Sequence, residues 1–175
     1  TNGTDYGSLS TITVSAGDTT GTATFDPTDD SIYEGNETAV ISISSVSGAD
    51  AAESGSQAVT ITITENESSP TITLATSATT IAENAGSSLT LTATSSIVAD
   101  EDITVSISTS GTGTEGTDYS TISDITISAG STTGTASFTP TDDSTYEGNE
   151  TGIVAIDTVS GGSATEDGTQ SVTIT

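Results

Sequence analysis

The chain has 175 residues, of which 25 are Asp or Glu, and it contains no Lys, Arg or His, so its formal net charge is −25. Without cationic side chains it cannot neutralise phosphates, which argues against nucleic-acid binding and against attraction to an anionic lipid surface. No apolar run approaches the roughly 20 residues that span a bilayer, so we expect no direct membrane insertion. Cysteine is absent, so disulfides cannot hold the fold together.

Strand-like segments follow one another along the whole chain. Thr alternates with Ile, Val and Leu in runs such as Val59–Thr64 and Leu89–Thr92, which is the pattern of strands with one buried and one exposed face. No segment shows helical periodicity. We predict strands at residues 9–14, 20–26, 37–46, 57–64, 71–76, 88–95, 102–109, 122–127, 133–139, 150–159 and 170–175.

The sequence repeats itself with an offset of 113 residues. Gly3-Thr4-Asp5-Tyr6 recurs as Gly116-Thr117-Asp118-Tyr119, and residues 1–62 align with residues 114–175 without a gap. Of these 62 pairs 40 are identical, which indicates a recent duplication. A period near 110 residues is too long for a solenoid repeat and suits a β-sandwich domain.

These observations predict an all-β chain of tandem immunoglobulin-like β-sandwiches of about 113 residues per repeat, with the first one truncated. We expect residues 1–66 to form the C-terminal part of one sandwich and residues 67–175 a complete or nearly complete second one. The joint falls in the polar segment 65–70. Two explanations for the truncated repeat remain open. The chain is a window from a longer tandem array, or a neighbouring subunit supplies the missing strands.

The densest acidic stretch is Thr28–Glu37, which recurs as Thr141–Glu150. Each copy places four carboxylates within nine residues, on a predicted loop between two strands. Like charges this close repel each other, and the chain offers no basic residue to relieve them. Calcium takes six to eight oxygen ligands in tolerant geometry, whereas magnesium prefers fewer carboxylates and zinc and copper favour His or Cys. The stretch therefore predicts bound Ca²⁺.

The order of these motifs resembles the Calx-beta domain. Gly-Thr-Asp-Tyr is followed by Ala-Gly, then by Asp-Asp, and then by Tyr-Glu-Gly-Asn-Glu-Thr, while segment 81–86 (Ile-Ala-Glu-Asn-Ala-Gly) is similar to the opening strand motif of that family. The resemblance covers residues 70–175 and the truncated repeat before them. It implies seven-stranded immunoglobulin-like sandwiches that hold several calcium ions at one tip.

The resemblance also implies a set of metal ligands by position. In the second repeat these are Glu83, Asp118, Asp142, Asp143, Glu147 and Glu150. In the first repeat they are Asp5, Asp29, Asp30, Glu34 and Glu37. The acidic run at the end of the last strand corresponds to Glu65 and Glu67, although that run is usually rich in Asp in the family.

The other acidic and aromatic residues have simpler interpretations. Acids in predicted turns, such as Asp100, Glu101, Asp102, Glu166 and Asp167, are expected to be solvated. All four tyrosines are expected in the core or at strand corners, and both phenylalanines in the core: Tyr6, Tyr33, Tyr119, Tyr146, Phe25 and Phe138.

The preferred functional hypothesis is a calcium-binding structural or adhesive repeat of an extracellular or cell-surface array, with neighbouring repeats or identical subunits as partners. A calcium-dependent carbohydrate-binding adhesin module is the alternative, and an intracellular calcium sensor is a third reading. An enzyme is not expected, because the chain lacks His, Cys, Lys and Arg for nucleophilic or acid–base chemistry.

Overall fold

The computed structural model describes residues 4–175, and every regular element in this part of the chain is a β-strand. The predicted all-β fold class is confirmed. The described residues contain no helix that is long and apolar enough to cross a membrane. The chain divides into two compact units: unit 1 comprises Thr1–Ser31 and Asn36–Glu65, and unit 2 comprises Ile32–Gly35 and Asn66–Thr175.

Twelve strands are assigned in the described residues. In chain order they are β1 (Ile32–Tyr33), β2 (Glu37–Ser42), β3 (Ala58–Ile63), β4 (Thr71–Thr76), β5 (Leu89–Ser95), β6 (Val98–Ala99), β7 (Ile103–Gly111), β8 (Ile125–Ile127), β9 (Thr133–Phe138), β10 (Gly152–Ser160), β11 (Thr165–Glu166) and β12 (Ser171–Ile174).

Unit 2 is built from two four-stranded sheets. One has the strand order β12-β10-β7-β8 and is antiparallel throughout. The other has the order β11-β4-β5-β9, in which only the short β11 runs parallel to its neighbour. A separate two-residue parallel pair joins β1 to β6. The two main sheets therefore contain eight strands, one more than the resemblance implies, and β11 was not predicted.

One hydrophobic core joins the two sheets of unit 2. Along β5, Leu89, Leu91 and Ala93 are buried, whereas Thr90 and Thr94 between and beyond them are exposed. The buried side chains of β4 and β5 belong to the same cluster as those of β7, β8, β10 and β12. Alternating Thr with β-branched or aliphatic residues thus gives each strand one face for the core and one for solvent.

Unit 1 repeats part of this architecture at the expected offset. Strands β2 and β3 pair in antiparallel fashion with Ala39 opposite Ile61, and the equivalent pair in unit 2 is Gly152 opposite Ile174. The register of this strand pair is therefore the same in both units.

A close backbone approach is also duplicated. A Cβ atom on Gly21 would lie 2.4 Å from the Thr13 carbonyl oxygen, and one on Gly134 would lie 2.3 Å from the Thr126 carbonyl oxygen. Since real Cβ atoms do not approach backbone oxygens so closely, both positions require glycine.

Two predicted strands are absent from unit 1, and this prediction was wrong. Residues 9–14 and 20–26 form no strand, although the equivalent residues of unit 2 form β8 and β9. In unit 2, β8 is hydrogen-bonded to β7 and β9 to β5. The duplicated residues 1–62 include no counterpart of β5 or β7, so these segments lack the pairing partners that a ladder requires.

The remaining strand predictions are confirmed with shifted ends. The segment predicted at residues 37–46 ends as a strand at Ser42, and the one predicted at 122–127 begins only at Ile125. The short strands β1, β6 and β11 were missed, because two residues are too few to show an alternating pattern.

We expect Leu91→Ala to lower the free energy of unfolding of unit 2 by about 2–5 kcal/mol, since Leu91 is fully buried and its truncation leaves a cavity. The matched control is Thr94→Ala on the exposed face of the same strand, with an expected effect within about 0.5 kcal/mol. Urea unfolding followed by circular dichroism measures both. Equal effects of the two substitutions would contradict this assignment of inner and outer faces.

Candidate metal centre

Four loop carboxylates and Glu83 converge in unit 2. The ligand oxygens of Glu83, Asp143 and Glu147 lie within 4.8 Å of one another, and so do those of Asp118, Glu147 and Glu150. Glu147 belongs to both groups. The residues come from three connections, between β4 and β5, between β7 and β8, and between β9 and β10.

A tight turn and an aromatic pair fix the position of Asp118. The Asp118 N–H donates to the Thr114 carbonyl oxygen at 2.9 Å, and the Thr114 N–H donates to Asp118 Oδ2 at 2.6 Å. The next residue, Tyr119, is buried and stacks on Phe138 with ring centroids 4.6 Å apart. The Asp118 carboxylate is therefore positioned by a hydrogen bond within its own turn and by the anchoring of the next residue, Tyr119, in the core.

Hydrogen bonds connect Glu83 to the acidic loop. The Asp143 N–H donates to Glu83 Oε1 at 2.9 Å, and the Thr145 N–H donates to Asp143 Oδ1 at 2.6 Å. The chain before Glu83 is attached to the last strand, since the Ile81 N–H donates to the Thr175 carbonyl oxygen at 3.0 Å. A backbone N–H donor thus holds Glu83 against the acidic loop, although the side chains of Glu83 and Asp143 carry the same charge.

A glycine turn brings the two glutamates of the loop towards the others. Gly148 lies between them with φ of 78°, a conformation that favours glycine. Glu147 is exposed and Glu150 is half-buried. Both line a cleft of about 600 Å³ that Asp118, Tyr119 and Phe138 also line.

The electrostatics of this site favour protonation. Partial desolvation raises the pKa of Glu147, and the charges of neighbouring acids raise it further: Asp118, Asp143, Glu150 and Glu83, in that order. The pKa of Glu150 is raised by desolvation and then by the charge of Asp118, which also shares a side-chain hydrogen bond with it. A bound divalent cation would supply the attraction that these carboxylates lack within the chain.

Unit 1 contains counterparts of several of these ligands, among them Asp5 and Glu37. Ligand oxygens of Asp5 and Glu37 lie within 4.8 Å of each other. The Thr28 N–H donates to the Asp5 carbonyl oxygen at 2.9 Å, as the Thr141 N–H donates to the Asp118 carbonyl oxygen at 2.9 Å in unit 2. Glu34 is half-buried and lies in the segment Ile32–Gly35, which clusters with unit 2.

Five predicted ligands lie outside the converging carboxylates of residues 4–175. Asp29, Asp30 and Asp142 are exposed, whereas Glu65 and Glu67 are half-buried. The Glu65 N–H donates to Asn36 Oδ1 at 2.9 Å. The roles of these five residues in metal binding remain predictions from the family resemblance.

Several acids that were expected to be solvated also accept hydrogen bonds from the backbone. Asp102 Oδ1 accepts from the Ala129 N–H at 2.8 Å, and Glu101 Oε2 accepts from the Gly162 N–H at 3.2 Å. Glu166 Oε1 accepts from the Gln170 N–H. Glu101 and Asp102 are exposed to solvent as expected, and their carboxylates also serve as acceptors for backbone N–H groups of the turns.

Sequence reasoning assigned no role to Glu115, which is a structural acceptor. Its carboxylate accepts from Thr109 Oγ1 and from the Ile122 N–H, both at 2.7 Å. The equivalent position in the first repeat is Asn2, which lies outside the described residues. The duplication therefore gave no signal for this contact.

The aromatic residues divide into two groups. Tyr119 and Phe138 are buried as predicted, and their equivalents Tyr6 and Phe25 lie 4.8 Å apart between ring centroids. Tyr146 is 97% exposed, so its placement in the core or at a corner was wrong. It precedes Glu147 in the loop, where the neighbouring residues are also exposed.

The fold and the converging loop carboxylates define a β-sandwich repeat with a candidate cation site. Comparison with protein-family models gives two matches to the Calx-beta domain, at residues 1–67 and 65–175. The chain therefore belongs to the Calx-beta family, as the order of its motifs indicated. This makes it a repeat module of a calcium-associated family. No significant match is found among curated proteins.

We expect Glu147→Gln to weaken divalent-cation binding to unit 2 more than any other single Glu→Gln substitution at this site, because Glu147 belongs to both carboxylate groups. Isothermal titration with Ca²⁺ measures the effect. The control is Asp157→Asn, which removes the same charge from an exposed position outside these groups. Equal losses in the two variants would show that net charge, and not this site, governs binding.

The raised pKa values of Glu147 and Glu150 predict how the metal-free protein responds to pH. The folded state holds these protons more tightly than the unfolded state, so this contribution to stability increases as pH falls from neutrality towards the ordinary glutamate pKa of 4.5. Thermal melts in chelator should show a rising Tm over this range. The Glu147→Gln, Glu150→Gln double variant should show a smaller rise, and an identical rise would contradict the assignment.

Proposed function

We propose that this chain is a calcium-binding structural repeat of an extracellular or cell-surface array, in which bound calcium rigidifies the loops of each domain. The observation that supports it best is the pair of carboxylate groups that share Glu147 in a chain without cationic side chains. Glu83, Asp118, Asp143, Glu147 and Glu150 would supply the carboxylate oxygens that hold bound calcium. Structural binding, and no catalysis, is proposed for the same residues.

The donor set suits calcium better than other metals. All candidate ligands are carboxylate oxygens, which hard cations prefer, and the chain contains neither His nor Cys for zinc or copper. Calcium tolerates irregular coordination by six to eight oxygens, and backbone carbonyls or water can complete it. Magnesium demands a near-octahedral shell and retains several waters, so it would use this dense cluster less well.

An extracellular role predicts affinity in the sub-millimolar to millimolar range. Structural modules outside cells bind calcium with dissociation constants of about 10⁻⁴–10⁻³ M, whereas cytosolic sensors need about 10⁻⁷–10⁻⁵ M. The affinity therefore separates this proposal from the intracellular sensor. Neighbouring repeats or identical subunits are the proposed partners of the array.

Calcium should stabilise the folded chain by mass action. At a hundredfold excess of calcium over its dissociation constant, each site contributes about 2.7 kcal/mol. We expect the Tm to fall sharply when calcium is replaced by a chelator, and limited proteolysis to begin in the segment 139–151. Magnesium at the same concentration is the control. A Tm that is the same in calcium, magnesium and chelator would contradict the proposal.

One observation favours the second candidate, a calcium-dependent carbohydrate-binding adhesin module. Tyr146 is almost fully exposed and adjacent to Glu147, so it offers an aromatic face beside the candidate calcium ligands. Sugars commonly stack on such faces. A glycan array probed in calcium and in chelator tests this function. Binders that require both calcium and Tyr146, and that are lost in Tyr146→Ala, would support it.

A further inference from the structure

The sequence contains a single Asp–Pro peptide bond. Of its three prolines, only Pro27 follows an aspartate, Asp26. Such a bond breaks more readily in acid than other peptide bonds, because the side-chain carboxyl group can attack the adjacent main-chain carbonyl group. The proline nitrogen carries no hydrogen and becomes a good leaving group once it is protonated. Both residues are exposed, so water and protons reach the bond.

A backbone hydrogen bond polarises the carbonyl group of this peptide bond. The Gly7 N–H donates to the Asp26 carbonyl oxygen at 3.0 Å. On the other side of the bond, the Thr28 N–H donates to the Asp5 carbonyl oxygen at 2.9 Å. The facing segment therefore holds the chain before and after the bond. An N–H group aimed at a carbonyl oxygen stabilises the negative charge that develops there during nucleophilic attack.

Unit 2 has the same backbone arrangement without the carboxyl group. The equivalent bond joins Thr139 to Pro140, and the Ser120 N–H donates to the Thr139 carbonyl oxygen at 2.9 Å. An antiparallel bridge between a tyrosine and the proline is also present in both units. Thr139 and Pro140 are half-buried, whereas their counterparts in unit 1 are exposed. The molecule thus contains its own comparison, in which the residue before proline is threonine.

The folded state is expected to persist in acid. Most proteins unfold at low pH because ion pairs are lost and the cations that remain repel one another. This chain has no Lys, Arg or His, so protonation removes repulsion among its 25 carboxylates and leaves no cationic side chains to repel one another. The Asp–Pro bond would therefore meet acid while the facing N–H group is still in place.

The titratable groups near Asp26 are acids and one tyrosine. Asp29 and Asp30 follow on its own segment, and Asp5 and Tyr6 lie on the facing segment. None of these groups is cationic, and the negative charge of the carboxylates attracts protons to this part of the surface. The surroundings therefore favour delivery of the proton that the leaving nitrogen requires.

We propose that the chain cleaves itself at the Asp26–Pro27 bond in acid, and that the Gly7 N–H accelerates the reaction. A side-chain oxygen of Asp26 attacks its own main-chain carbonyl carbon, and a proton from solvent adds to the Pro27 nitrogen. The C–N bond breaks, which leaves a cyclic anhydride at Asp26 and a secondary amine at Pro27. Water then opens the anhydride, so that Asp26 ends with a terminal carboxyl group beside its side-chain carboxyl group. The net reaction is hydrolysis of the peptide bond.

Cleavage at this bond would divide unit 1 and leave unit 2 intact. Asp5 lies before the cut and Glu37 lies after it, although their ligand oxygens lie within 4.8 Å of each other. In the proposed array, the cut would therefore separate two candidate calcium ligands of one repeat and spare those of the next. That consequence rests on the proposed function, whereas the cleavage itself does not.

The test incubates the full chain at about pH 4, close to the ordinary aspartate pKa, and follows it by denaturing electrophoresis and intact mass. We expect two fragments, the larger of which begins at Pro27, and no fragment that begins at Pro140. Asp26→Thr, which introduces the residue found in the equivalent bond, should abolish the cleavage. Adding Thr139→Asp to this variant should create a cut before Pro140. An uncut wild-type chain, or the same fragments from Asp26→Thr, would overturn the proposal.

A second pair of variants tests the facing hydrogen bond. Gly7→Pro removes the N–H donor, whereas Gly7→Ser keeps it and introduces the residue type of its equivalent, Ser120. A Cβ atom at Gly7 would lie 3.9 Å from the Asp26 carbonyl oxygen, which is an ordinary contact. Gly7→Pro should slow the cleavage by about tenfold or more, the factor that corresponds to a hydrogen bond to a developing charge. Gly7→Ser should be cut at the wild-type rate.

A measurement on the wild-type chain keeps this test independent of how well Gly7→Pro folds. The chain should be cut more slowly in urea at the same pH, where the facing hydrogen bond is lost, than in buffer, where circular dichroism reports the folded sheets. Equal rates in urea and in buffer, or equal rates in Gly7→Pro and Gly7→Ser, would overturn the role of the facing N–H group.

Discussion

The absence of any cationic side chain determines how this molecule can use its 25 carboxylates. Each one must be solvated, accept hydrogen bonds from neutral donors or bind a metal ion. The structure shows the second solution at Asp102 and Glu115, which accept from backbone N–H groups. It shows a different arrangement around Glu147, where carboxylates converge and where desolvation and then the neighbouring charges raise the pKa of Glu147. Convergence of like charges is unfavourable without a cation, so this is the part of unit 2 where a bound cation would relieve the most repulsion.

Alternation of apolar and polar residues was sufficient to predict most strands, and the duplication located the repeats. Alternation was not sufficient to predict the structure of residues 9–14 and 20–26. These segments closely resemble β8 and β9, yet only β8 and β9 form strands. Strand formation depends on a partner distant in sequence, whereas side-chain alternation is a local property. Comparison of the nearly identical segments Ser10–Gly17 and Ser123–Gly130 thus distinguishes the local contribution to strand formation from the contribution of tertiary strand pairing.

Most residues of the candidate site could be predicted from the sequence, but the sequence did not show which of the predicted ligands converge. The acidic loop and Asp118 are evident from the duplicated motifs, and the family resemblance added Glu83. Asp142 and Asp143 are both predicted from the sequence as ligands, yet only Asp143 lies in a converging group. The backbone N–H of Asp143 donates to Glu83 Oε1, and this contact brings Asp143 next to Glu83 in the fold. The exposure of Tyr146 was missed for a similar reason, since a loop aromatic carries no periodicity.

Different interactions therefore dominate in different parts of unit 2: apolar packing in the sheets and charge repulsion in the loops. The sheets are specified by apolar side chains that pack around Leu91 and Val105. The loops carry most of the repulsion and few apolar side chains, and Glu147 and Tyr146 are exposed. The Tyr119–Phe138 pair lies where the apolar core meets the acidic loops, because it lines the acidic cleft and also belongs to the core. Cation binding would consequently order the loops on a framework that is already folded, and its stabilisation would reach the core through Asp118 and the adjacent Tyr119.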